Sequence, residues 1–108
     1  FVLSHWVRNT GLYSLEEGIR RITSAPARII GLKDRGTLEV GKKADINVFD
    51  KDKVDELQPE IVNDFPGGAP RYVQGSKGYK ATVVNGAVNF LDGKLTGAAK
   101  GEVLRHSV

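Results

Sequence analysis

The stretch from Gly36 to Asp50, Gly-Thr-Leu-Glu-Val-Gly-Lys-Lys-Ala-Asp-Ile-Asn-Val-Phe-Asp, limits the fold more than any other part of the chain. Gly36 and Gly41 can take positive φ at little steric cost, so each can end a short segment sharply. Between them Leu38 and Val40 alternate with Thr37 and Glu39, the period of a half-buried strand. After Gly41 the alternation resumes, with Ala44, Ile46 and Val48 on one face and Asp45, Asn47 and Phe49 on the other. Asp50, Lys51 and Asp52 then close this strand in a polar turn. Asp45 could act as a metal ligand or general base, yet no partner group stands near it in the sequence. A carboxylate at a strand start more simply accepts hydrogen bonds from nearby backbone N–H groups.

Upstream of residue 33 the pattern is helical. Val2, Leu3, Trp6 and Val7 form one apolar stripe between Phe1 and Asn9, and Gly11 supplies a stop. Ser14-Leu15-Glu16-Glu17 reads as a capping box, in which the Ser14 hydroxyl and the Glu17 carboxylate each satisfy a free backbone N–H of the other. Leu15, Ile19 and Ile22 recur at i, i+4 and i+7, giving that helix one buried face. Pro26 disfavours helical geometry at Ala25, so the helix should end near Thr23 or Ser24. Ser24 is placed to cap a second, short helix through Ala27, Ile29 and Ile30, with Gly31 ending it.

Downstream the chain reads as strands and turns. Tyr79 to Val84 and Ala87 to Leu91 are joined by Asn85-Gly86, the favoured pair for a type I′ hairpin turn. A second turn at Asp92-Gly93 precedes Lys94-Leu95-Thr96, and Arg71 to Gln74 suits a short strand. Residues 51–70 hold Pro59, Pro66, Gly67, Gly68 and Pro70 with few regularly spaced apolar positions. This stretch is expected as an irregular surface loop with a helical turn near Val54 to Leu57. From Gly97 the chain is small and polar until Val103-Leu104.

Composition excludes several classes of function. At 108 residues, 40% hydrophobic and 27% charged, the chain suits a soluble domain with a modest core. It has no run of about 18 apolar residues, the length a membrane-spanning helix needs. The net charge of +3 comes from scattered basic residues. Pairs such as Arg20-Arg21 and Lys42-Lys43 lie near Glu or Asp, without the clustered aromatics of a nucleic-acid surface. Cysteine is absent, which removes disulfides and thiolate chemistry from this piece and fits a cytoplasmic address. The first residue is Phe and no signal-peptide pattern follows, so the chain reads as a piece of a longer protein.

Motifs for catalysis are missing from the sequence. There is no His-x-His, no phosphate-binding glycine loop, and no Ser or Cys paired with a suitable His. His5, beside Trp6 on a helix, suits packing better than ligation, and His106 lies in the C-terminal tail. The Pro66-Gly67-Gly68-Ala69-Pro70-Arg71 loop offers its backbone to an anion, but Gly and Pro there more simply serve turning. No catalytic, cofactor-binding or metal-ligating residue is assigned.

Several segments in order carry a family resemblance. They are Phe1-Val2-Leu3-Ser4-His5-Trp6-Val7-Arg8, Ser14 through Arg28 with its Thr-x-x-Pro-Ala element, and Gly31-Leu32 through Asp34-Arg35-Gly36. The run continues with Gly41 through Asp50 with its Gly-x-x-Ala-Asp element, Thr82-Val83-Val84-Asn85-Gly86, Asp92 through Gly97, and Gly101-Glu102-Val103-Leu104-Arg105. Together they resemble the C-terminal end of the N-acyl-D-amino-acid deacylases, the D-aminoacylase-like branch of the metal-dependent amidohydrolases. The resemblance implies an α+β fragment, in which residues 1–32 are the last helices of a (β/α)₈ barrel. Residues 33–108 would be the C-terminal strands of a small β-sandwich, with the irregular loop at 51–70.

The resemblance also implies a parent hydrolase that uses zinc to cleave the amide bond of N-acyl-D-amino acids, with its ligands and catalytic Asp outside this region. The fragment is then inactive alone. It is expected to self-associate through apolar faces or strand edges that lack their partners, and to bind neither nucleic acid nor membrane. Two other readings stay open: the tail of another amidohydrolase, such as a cyclic amidase or deaminase, and a self-standing protein-interaction module.

Overall fold

A computed structural model describes residues 1–105. The first element, Val2–Asn9, is a π-helix, and the Thr10 N–H reaches back to the His5 carbonyl at 2.9 Å. Helix α1 spans Leu15–Ile22, and the Ser14 hydroxyl accepts the Glu17 N–H at 3.2 Å as its N-cap. Only this half of the expected capping box forms. The Glu17 carboxylate turns instead to Arg20 and Arg21, whose Nε atoms donate to it at 2.7 and 2.8 Å. Two guanidinium groups one turn away offer stronger, charge-assisted partners than one backbone N–H.

Helix α2 spans Ser24–Ile29, so Ser24 lies inside the helix and Thr23 holds the cap position. Pro26 does not exclude the helix because it falls in the first turn, where its missing N–H would have no helical partner. Helix α1 packs against both the π-helix and α2. Gly18 lies buried at the first of these contacts, where a Cβ would meet Val7 Cγ2 at 2.5 Å.

The strands form three antiparallel units. Strands β1 (Ile46–Phe49), β6 (Tyr79–Val84), β7 (Ala87–Leu91) and β8 (Lys94–Leu95) make one sheet in that order. Strand β2 (Asp55–Glu56) pairs with β5 (Ser76–Lys77), and β3 (Glu60–Val62) pairs with β4 (Arg71–Val73). The β6–β7 turn is the one the sequence predicts, with Asn85 at φ 48° and Gly86 at φ 81°.

Three strand expectations need correction. Residues 37–40 form no strand, and Leu38 and Val40 are 77% and 107% exposed. Alternation supplies only the side-chain pattern; a strand also needs a ladder partner, and the described residues provide none there. Residues 51–70 are not all loop: Val54 to Leu57 gives β2 rather than a helical turn, β3 follows, and Pro66–Gly68 makes a 3₁₀ turn. Their partners lie in residues 71–77, beyond the reach of a local reading. Phe49 also leaves its expected face, because a bulge between Val48 and Phe49 sets it opposite Tyr79, with ring centroids 6.2 Å apart.

Little of the apolar content is enclosed. Leu3, Ala27 and Val54 are the buried hydrophobic residues among those described. The accessible surface is 8363 Å², whereas a compact monomer of 11.7 kDa exposes about 5,900 Å². The radius of gyration, 16.1 Å, likewise exceeds the value of about 13 Å for a compact domain of this length. Ile29, Ile30, Ile61 and Tyr72 stand exposed. Cross-strand register places Ile46, Val83 and Val88 on one face of the main sheet, and that face is not buried.

Candidate functional site

A concavity of about 560 Å³ opens between the π-helix and the start of β6 and includes Arg8, Asp50, Asp55, Lys77, Tyr79 and Lys80 in its lining. It forms because Arg8, in the last turn of the π-helix, reaches across to the segment ahead of β2. Its Nη1 donates to the Val54 carbonyl at 2.7 Å and its Nη2 lies 3.6 Å from Asp55 Oδ2. Asp55 also accepts the Glu56 N–H at 3.1 Å. Asp50 accepts the Asp52 N–H at 2.9 Å and lies 3.9 Å from Lys53 Nζ. These carboxylates therefore hold turns and cations.

Next to this cleft the Ser4 hydroxyl, 2% exposed, donates to Glu56 Oε2 at 2.7 Å. This bond, with the Glu56 backbone contact, holds the Glu56 carboxyl below its usual range. Val54, 4% exposed, lies between these polar contacts. Behind it passes Gly78, whose φ is 86° and where any Cβ would collide with the backbone of Lys53 and Val54. Ser4, Arg8, Val54, Glu56 and Gly78 thus form one joint between the helical and stranded halves. Sequence reading missed it, because contacts spanning some 50 residues leave no local spacing signal.

Asp45 lies beside the hairpin turn. Its Oδ1 accepts the Asn85 N–H at 2.8 Å, and its Oδ2 is 3.6 Å from Arg35 Nη1. His5 stacks on Phe1 with ring centroids 4.6 Å apart and an interplanar angle of 21°. His106 lies outside the described residues. In the 66–71 loop, Arg71 makes two hydrogen bonds to Asp64, both 2.6 Å, so its charge is already engaged.

No group of three or more His, Cys, Asp or Glu residues that could hold a metal occurs among the described residues. The described residues therefore do not by themselves supply the three protein ligands that a catalytic zinc takes. No described helix is long and apolar enough to cross a membrane.

The model of an amidohydrolase family matches residues 2–90. The N-acyl-D-glutamate deacylase of Alcaligenes xylosoxydans xylosoxydans is 49% identical over 53 residues, covering 49% of this chain and 11% of that protein. The D-aminoacylase of the same organism is 33% identical over 103 residues, 95% of this chain and 19% of that protein. A dihydroorotase of Archaeoglobus fulgidus is 42% identical over 60 residues, 56% of this chain and 15% of that protein. The chain spans a fifth or less of the length of these relatives. No solved structure matches. With a family match that takes in most of its length, this chain belongs to the amidohydrolase family.

Proposed function

We propose that this chain is the C-terminal, structural portion of a hydrolase that cleaves the amide bond of N-acyl-D-amino acids. The observation that carries this reading is the extent of the deacylase similarity. D-aminoacylase aligns over 95% of the chain, and so does an N-acyl-D-aspartate deacylase, at 39% identity over 105 residues. In this reading residues 1–32 are the closing helices of the catalytic barrel and residues 33–108 are the C-terminal share of a β-sandwich. The surplus of exposed surface supports it, since faces shaped for burial stay open when the layer that covers them is missing.

A bound zinc would polarise the amide carbonyl and activate water. Its ligands and the proton-transferring carboxylate lie outside these residues, and the segment's own contribution is mechanical. The joint of Ser4 and Arg8 with Val54 to Glu56 fixes the strands against the helices and so braces the barrel end. A cytoplasmic location fits the absence of cysteine.

A second reading, a cyclic amidase, draws on the dihydroorotase similarity. A substrate panel on the full-length protein separates the two. The deacylase reading predicts acetate release from N-acetyl-D-glutamate, N-acetyl-D-aspartate or a neutral N-acetyl-D-amino acid, with the L-enantiomers and dihydroorotate untouched. Hydrolysis of dihydroorotate alone would replace it with the second reading.

A further inference from the structure

The Asn85-Gly86 turn combines an intrinsically reactive dipeptide with an unusual amount of restraint. Asn is among the thermally labile residues. An Asn followed by Gly is the most exposed to self-attack, because Gly has no side chain to shield its nitrogen. The Gly86 nitrogen can add to the Asn85 side-chain carbonyl carbon, expelling ammonia and closing a succinimide. Water then opens that ring at either carbonyl, giving aspartate or isoaspartate. The only co-reactant is water, and Asn85 and Gly86 are both exposed to it.

The fold opposes the first step. The Gly86 N–H, which must turn toward the side chain and lose its proton, donates to the Ala44 carbonyl at 3.0 Å. The neighbouring Asn85 N–H donates to Asp45 Oδ1 at 2.8 Å, and Asp45 is itself close to Arg35. The Asn85 side-chain amide has a further, long contact to the Lys100 carbonyl at 3.5 Å. The turn is therefore fixed from outside by residues 44 and 45, immediately ahead of β1, as well as by its own hairpin.

We propose that Asn85 is a latent deamidation site whose reaction is suppressed by the clamp from Ala44 and Asp45. Isoaspartate adds a backbone methylene between Val84 and Ala87, which are paired in register. The product therefore misaligns the central pair of the four-stranded sheet. Deamidation here is an ageing route for the protein, gated by how firmly the segment at 44–45 stays docked.

Peptide mapping by mass spectrometry tests this on the full-length protein. It is incubated at mildly alkaline pH, folded or in urea, and sampled over days for conversion at Asn85 and for the isoaspartate fraction. Loss of the hydrogen bonds that hold the turn predicts conversion about tenfold or more faster in urea. Asp45→Ala, which removes one bond of the clamp, should raise the folded-state rate about fivefold. Equal rates for the folded and urea-unfolded wild type would overturn the proposal whether or not the variant folds. A folded Asp45→Ala protein that converts no faster than wild type would overturn the assignment of the clamp to Asp45.

Discussion

Replacing Gly78 by Ala tests the joint between the two halves where it is tightest. The φ of 86° at Gly78 lies in the left-handed region, and an Ala there costs about 1–2 kcal/mol. The new methyl would also overlap the backbone of Lys53 and Val54, which cannot swing aside as a side-chain tip can. Overpacking of this kind adds about 1–3 kcal/mol. The Gly78 carbonyl accepts the Asp50 N–H at 2.9 Å, so any shift that relieves the overlap also strains the end of β1. The combined cost is about 2–5 kcal/mol, and its lower bound corresponds to a change of roughly thirtyfold in local opening.

Hydrogen exchange read by mass spectrometry on the full-length protein should show this acceleration in peptides covering residues 50–57 and 76–84. Gly41→Ala is the control. Its φ of 90° carries the same conformational cost, but nothing lies within 4 Å of the added methyl. If Gly78→Ala and Gly41→Ala accelerate exchange around their own sites equally, the crossing of Gly78 behind Val54 is not the constraint described here.

Glu17 gives a prediction with a defined sign. Its carboxyl is held down from 4.5 to about 2, first by the Arg20 hydrogen bond, with Arg21 contributing. A depressed folded-state value means that the pairing supports α1 fully above about 4.5 and is lost as pH falls toward 2. Glu17→Gln should flatten this part of the acid profile in far-UV circular dichroism, and an unchanged profile would refute the role. The open apolar surface should make the 108-residue chain self-associate when made alone. Leu38→Ser with Val40→Ser should lower its mass by light scattering, and a wild-type chain that is already monomeric would contradict the expectation.

The parts of the fold legible in the sequence are those fixed by local chemistry. Asn85-Gly86 and Asp92-Gly93 set two hairpin turns, with Asn85 at φ 48° and Asp92 at φ 47°. Ser14 marks the start of α1, and the break between α1 and α2 falls at Thr23. Non-local pairing was not legible. Strands β2 and β3 are two and three residues long, too short for a periodic signal, and exist because β5 and β4 pair with them. The opposite error at residues 37–40 has the same cause, an alternating pattern without a ladder partner among the described residues.

Asp45 shows how far residue-level reasoning reaches. A strand-start carboxylate accepting a backbone N–H could be anticipated, whereas its donor, Asn85, stands 40 residues away and could not. The contacts from Ser4 to Glu56 and from Arg8 to Val54 were hidden for the same reason.

Bound metal and turnover of an N-acetyl-D-amino acid, measured in parallel on the full-length protein and on the 108-residue chain, test the central claim most directly. Metal and D-selective amide hydrolysis are expected in the full-length protein and neither in the chain alone. Stoichiometric metal or turnover in the 108-residue chain would contradict that claim.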